Sequence, residues 1–240
     1  MRWKGGIRLS RRESLTRLGG LLVAAAGVGA VGATESDGAT DAEASGAGPS
    51  AVATGLVSCV LAPEQTEGPY YVPGDKVRRD VTEGKPGVPL TLRLSVVDVV
   101  TCRAIKGAAV DIWHCDAGGV YSETADQGTQ SRTFLRGIQR TDTKGVATFR
   151  TIYPGWYPGR TVHVHVKVAL AGNVVHTGQL YFPDKLTDVV YRRAPYNTRP
   201  GRTTRNQADS IFRNGGSRSL LSVRRSGKGY VATIAMGVHR

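Results

Sequence analysis

Short runs of alternating apolar and polar residues, each ended by a glycine-bearing turn, repeat from residue 58 onward, and none carries the period of a long amphipathic helix. Along an extended chain successive side chains point to opposite faces, so this alternation marks strands that bury one face. Strands are expected over residues 91–100, 109–113, 134–140, 146–152, 161–170, 174–182 and 230–238. Turns are expected at Lys106-Gly107, at Asp142-Thr-Lys-Gly145 and at Ala171-Gly-Asn173, the last closing a hairpin. Helical signals are confined to 186–191 and 206–213. The pattern predicts an all-β fold, a β-sandwich of mostly antiparallel strands with short helices and long loops.

The first 33 residues read as an export signal. Arg2, Lys4, Arg8, Arg11, Arg12 and Arg17 form a basic leader ahead of a mild Ala/Gly/Val/Leu run over 18–33. Ser10-Arg-Arg-Glu-Ser-Leu15 is similar to a twin-arginine export motif, with Ser14 in place of the usual phenylalanine, and Val31-Gly-Ala33 offers small residues for cleavage. The apolar run is short and glycine-rich for a bilayer span, so no stable membrane anchor is expected. Residues 34–57, rich in Ala, Gly, Ser and Thr, read as a flexible linker, leaving one folded domain over 58–240.

Charge and cysteines narrow the function classes. The chain carries a formal +13, and without the leader 26 basic and 18 acidic residues remain, a net +8. The late arginines, among them Arg192, Arg199, Arg205 and Arg224, belong to no recognisable nucleic-acid motif, so a solvated basic face is expected and no nucleic-acid partner. Cys59, Cys102 and Cys115 fit no zinc-finger spacing. In an oxidising compartment they predict one disulfide and one spare thiol, with the pairing left open.

The segment Tyr157-Pro-Gly-Arg160-Thr-Val-His163-Val-His165 concentrates the chemistry. His163 and His165 leave a strand from the same face while Val162, Val164 and Val166 take the other, which makes half of a metal site. No acid follows until Asp184, so neither a cupin-type glutamate nor the carboxylate of a two-histidine, one-carboxylate iron site is at hand. Tyrosines are: Tyr121, Tyr153 and Tyr157.

In order, the motifs are Glu64-Gln-Thr-Glu-Gly-Pro-Tyr70, Ala117-Gly-Gly-Val-Tyr121, Thr151-Ile-Tyr-Pro-Gly-Trp-Tyr157-Pro, Arg160-x-x-His163-x-His165 and Gly178-Gln-Leu-Tyr-Phe182. Together this order resembles the intradiol ring-cleavage dioxygenases, the family of protocatechuate and catechol dioxygenases, over about residue 58 to the C-terminus. The resemblance implies a secreted enzyme that cleaves a catechol-type ring between its two hydroxyl-bearing carbons with O2, giving a muconate-type dicarboxylate. It implies non-haem Fe(3+) held by Tyr121, Tyr157, His163 and His165. Tyr157 is then the ligand that leaves as substrate enters and can take up a proton, Arg160 stabilises developing charge, and Gln179 hydrogen-bonds to intermediates. Thr66, Glu67, Gly68, Pro69 and Tyr70 would line the ring pocket, and His114 and His176 fall outside the pattern.

Only Pro158-Gly159 separates Tyr157 from Arg160, fewer residues than in intracellular members, which predicts a more open pocket. The helical dimerisation region of catechol dioxygenases has no counterpart in 34–57, and a homo-oligomer stays open. Two rivals use the same residues. A non-enzymatic prealbumin-like secreted module accounts for the strands and turns but not for the ordered Tyr, Tyr, His, His, Gln set. A zinc hydrolase would need a carboxylate base beside the histidines.

Overall fold

A computed structural model describes residues 59–240 except Asp75 and Pro200. The expected leader and the whole of the expected linker lie outside the described residues. Eight strands form two four-stranded sheets. They are β1 (Pro89–Asp98), β2 (Ala109–Trp113), β3 (Arg136–Arg140), β4 (Val146–Ile152), β5 (His163–Leu170), β6 (Asn173–Tyr181), β7 (Ser222–Ser226) and β8 (Gly229–Val238). The first sheet runs β4-β1-β8-β7 and the second β3-β2-β5-β6. Neighbours are antiparallel except β1 and β8, which run parallel.

One apolar core takes side chains from both sheets: Leu90, Leu92, Leu94 and Val96 of β1, Val110 and Ile112 of β2, Val164, Val166 and Val168 of β5. These are the alternate positions that period-two patterning assigns to one face. The other face of β5 is buried as well, with His163 2 % and His165 1 % exposed. The two imidazoles therefore stand on the outer side of their sheet, beneath the long connections that follow β2 and β4.

The expected strand at 91–100 ends at Asp98, because the Asp98 carboxylate accepts hydrogen bonds from Val100 N and Thr101 N and turns the chain. The hairpin at Ala171-Gly172 is a two-residue loop with φ of 48° and 87°, the left-handed pair that matches strand twist. β7 was not expected. Its Ser-Val-Arg-Arg-Ser sequence is almost wholly outward-facing at the sheet edge, so its ladder with β8 forms it and burial does not. Helices cover Asp184–Val190 and Ser210–Arg213, and the second is separated from a 3-10 turn at Asn206–Ala208 by extended Asp209. Among the described residues no helix is long and apolar enough to cross a membrane.

Cys59 pairs with Cys102, and Cys115 is free and buried. The bond closes 43 residues of chain. Loop-closure entropy for that length is worth about 4 kcal/mol. Replacing both cysteines by serine should lower stability by that order in denaturant melts, whereas an unchanged midpoint would show that the bridge constrains nothing the native contacts do not already hold.

Candidate metal centre

Strand register sets the floor of the site. His165 lies opposite Trp113 of β2 and Gln179 of β6, and His163 opposite Tyr181. Directly paired residues share a face, so these side chains form one patch. The connection after β2 delivers Tyr121 and the one after β4 delivers Tyr157. The two connections are joined where Gly155 N donates to Asp116 O at 3.0 Å. A side chain at Gly155 would meet the Asp116 and Ala117 carbonyl oxygens, and one at Gly119 the Trp156 carbonyl oxygen, so both glycines are required by close backbone approach.

Four donor atoms converge on this floor. Tyr157 Oη lies 3.1 Å from His163 Nε2, His163 Nε2 lies 3.1 Å from His165 Nε2, and Tyr121 Oη lies 3.4 Å from Tyr157 Oη. His163 Nδ1 donates to the Thr161 carbonyl oxygen at 2.6 Å, which leaves its Nε2 as a bare lone pair facing the cluster. Trp113 stacks on His165 with ring centroids 4.9 Å apart and planes 6° off parallel. His165 Nδ1 is buried without a hydrogen-bond partner.

Burial sets the protonation states. It pushes His163 down to about 3, with the Arg160 charge adding to the effect, and His165 well below the usual imidazole range. It raises Tyr157 to about 12 and Tyr121 well above an ordinary phenol. The bare cluster is thus neutral, with both phenols protonated and both imidazoles uncharged. A bound cation would displace the phenolic protons and would be partly neutralised by the two phenolates. A hard trivalent ion suits oxygen donors of that kind. Among the described residues no three His, Cys, Asp or Glu side chains are grouped to hold a metal, so the tyrosines are indispensable to any such centre here.

The 66–70 segment covers the patch. Gly68 has φ +72°, and a Cβ there would sit 3.2 Å from His165 Cε1. Tyr70 stacks on Tyr121 with centroids 4.4 Å apart, and the Thr66 carbonyl oxygen accepts from Gln179 Nε2 at 2.9 Å. Pro69 is exposed beside them. The Glu67 carboxylate is half exposed and paired with Lys167, so its charge is compensated instead of being turned bare toward a ring. Arg160 reaches Gln179 through Nη2 and Asp209 through Nε at 2.9 Å. All the residues singled out from the sequence as catalytic or ligating are thereby brought together.

The three other aromatic or imidazole candidates fall elsewhere. Tyr153 is in the core with its hydroxyl on Thr187. His114 is fixed by the Cys115 carbonyl oxygen and the Thr151 hydroxyl, and His176 bonds to Glu64.

An intradiol ring-cleavage dioxygenase from Tetranychus urticae superposes with a TM-score of 0.72 at 35% identity, covering 75% of this chain and 95% of that one. A family model described as Dioxygenase matches residues 66–191, more than half of the chain. The chain belongs to the intradiol ring-cleavage dioxygenase family. Another similar structure is the dioxygenase domain of a dioxygenase carbohydrate-binding protein fusion from Streptomyces sp. SirexAA-E, at 35% identity and a TM-score of 0.59, covering 75% of this chain and 99% of that one. Catechol 1,2-dioxygenase 1 of Acinetobacter lwoffii is 33% identical over 100 residues, 40% of this chain and 32% of that protein. The chain spans about a third to a half of the length of the curated relatives it matches.

Family membership disfavours the prealbumin-like module, and the tyrosine pair with no carboxylate beside it disfavours the zinc hydrolase. Two residues that shape the candidate site, Trp113 and Asp209, carry little signal in the sequence. Trp113 meets His165 only through strand register. Asp209 lies 49 positions beyond Arg160, and its one local signal is its place inside the candidate helix at 206–213.

Proposed function

We propose that this protein cleaves catechol-type diphenols between the two hydroxyl-bearing carbons with O2, giving muconate-type dicarboxylates. The observation that carries the reading is the buried, charge-poor convergence of Tyr121, Tyr157, His163 and His165. These four residues would hold non-haem iron(III), which when bound supplies the electron-accepting centre that activates a chelated catecholate toward O2.

The remaining work falls to the chain itself. Tyr157 is the most exposed of the four and lies at the rim of the cluster. Its phenolate oxygen is placed to take a proton from an incoming diphenol, because a phenol pushed to about 12 by burial is a competent base once ionised. Gly68 and Tyr70 limit water access from above, and the stacked Trp113 and the Thr161 carbonyl oxygen hold the imidazoles in orientation. Arg160 adds a fixed positive charge at the pocket edge, where negative charge gathers as the ring opens.

The two sheets with their common core support a sandwich as the scaffold. The basic leader with its arginine pair, and the Cys59–Cys102 bridge, support export to an oxidising compartment. A folded-protein export route would allow the metal to be inserted before translocation.

The test is product analysis of the iron-loaded protein with catechol under isotopically labelled dioxygen. Both labelled atoms should appear in cis,cis-muconate. Cleavage beside the hydroxyls instead of between them, or a single labelled atom in the product, would contradict the proposal.

A further inference from the structure

Arg160 is held from a part of the chain that supplies none of the ligands. The Asp209 side chain is 1% exposed, and its Oδ2 accepts from Arg160 Nε at 2.9 Å and from Thr161 N at 2.8 Å. Its Oδ1 accepts from Ile211 N at 2.8 Å and Phe212 N at 3.1 Å, capping the short helix Ser210–Arg213. Extended backbone at Asp209, φ −88° and ψ 122°, breaks the helical run and turns this carboxylate inward. Asn206, three residues earlier, accepts from the Thr161 hydroxyl at 2.6 Å and donates to the Phe182 carbonyl oxygen at 3.0 Å. The 206–212 segment thus clamps the entry to β5.

A guanidinium is a rigid planar fork on a flexible stem, so two fixed contacts define its plane. Arg160 has its Nε on Asp209 and its Nη2 on Gln179, while Nη1 has no protein partner among the described residues. We infer that Asp209 is a positioning residue that orients Arg160 so that Nη1 is presented to the reacting ring. The buried carboxylate also places the guanidinium charge in one spot before substrate arrives, so no reorganisation is needed as charge develops.

The inference rests on the dioxygenase reading above, and a mutant cycle separates the two. Asp209→Asn keeps the shape and an oxygen for the helix cap but turns an N–H donor toward Arg160 Nε and Thr161 N. In the iron-loaded enzyme it should lower kcat for catechol about 10- to 100-fold, the range expected for one charge-assisted hydrogen bond. KM should move by less than about 3-fold and the visible absorption of the resting enzyme should not change, because the four ligands are untouched. In an Arg160→Gln background the same substitution should alter kcat by less than about 2-fold, since its effect acts through the missing side chain.

Equal losses in both backgrounds would overturn the assignment and leave the dioxygenase reading standing. A parent protein that forms no muconate would overturn the reading itself. Asp209→Ser, which still caps Ser210–Arg213 but ends short of Arg160, serves if Asp209→Asn does not fold. Failure of both to fold would place Asp209 in the fold alone and overturn the positioning role.

Discussion

Tyr121→Phe is expected to abolish iron retention and to cut ring cleavage by more than about 100-fold, beyond the loss typical of residues that only support a ligand. The substitution removes one oxygen from a ring that is 1% exposed and stacked on Tyr70. Among the described residues that oxygen has a single hydrogen-bond partner, Tyr157 Oη at 3.4 Å, which is long for an O–H···O bond. Phenylalanine fills the same space, so the metal-free protein should melt within about 2 °C of the parent, since a buried hydroxyl with so weak a partner contributes little to stability. Loss of metal without loss of fold separates a ligand from a packing residue. Equal iron content per chain in parent and variant, measured after gel filtration, would remove Tyr121 from the ligand set.

Gly155→Ala should have the second largest effect, by a different route. A methyl group at this position would meet two backbone carbonyl oxygens, one of them at 2.5 Å, and neither can rotate away as a side chain could. The two connections that carry Tyr121 and Tyr157 would have to separate. Overpacking costs about 1–3 kcal/mol, and the upper end applies where the obstacle is backbone that cannot rotate away. The variant should melt markedly lower and bind iron weakly even where it is folded, because the Tyr121 and Tyr157 oxygens would no longer meet. By contrast Gly172→Ala, at an open hairpin tip, should lower stability through its φ of 87° alone and leave iron binding intact. Metal titrations on the two variants at a temperature where both are folded distinguish the routes. Equal iron affinity in Gly155→Ala and the parent would show that the junction does not set the tyrosine spacing.

Much of this architecture was legible in the residues because it depends on short-range rules. The His-Val-His-Val alternation of β5 fixes both a core face and a site face. The same period places β1 and β6, and the Ala171-Gly172 pair closes its hairpin by local conformation. The order of the two tyrosines, Arg160, the two histidines and Gln179 carried the candidate site. What the sequence hid depends on contacts between distant segments. β7 has too few apolar residues to signal itself, since an edge strand is made by its neighbour's hydrogen bonds. Which cysteine pairs with Cys59 follows from how the chain returns near residue 102. Trp113 gains its place beside His165 from sheet register, and Asp209 from the packing of a C-terminal turn against the start of β5. Glu67 is a smaller case: its charge was visible in the sequence, but its pairing with Lys167 was not.

The most direct test of the two-tyrosine, two-histidine iron centre is a visible absorption spectrum of the iron(III)-loaded protein, recorded first alone, then with catechol under anaerobic conditions, then after admitting air. A ferric centre on Tyr121 and Tyr157 should give a reddish phenolate-to-iron(III) band, a shift of that band when catechol binds, and bleaching on exposure to air as muconate accumulates. A protein that takes up iron(III) without colour, or whose spectrum ignores catechol, would contradict a centre built on Tyr121 and Tyr157.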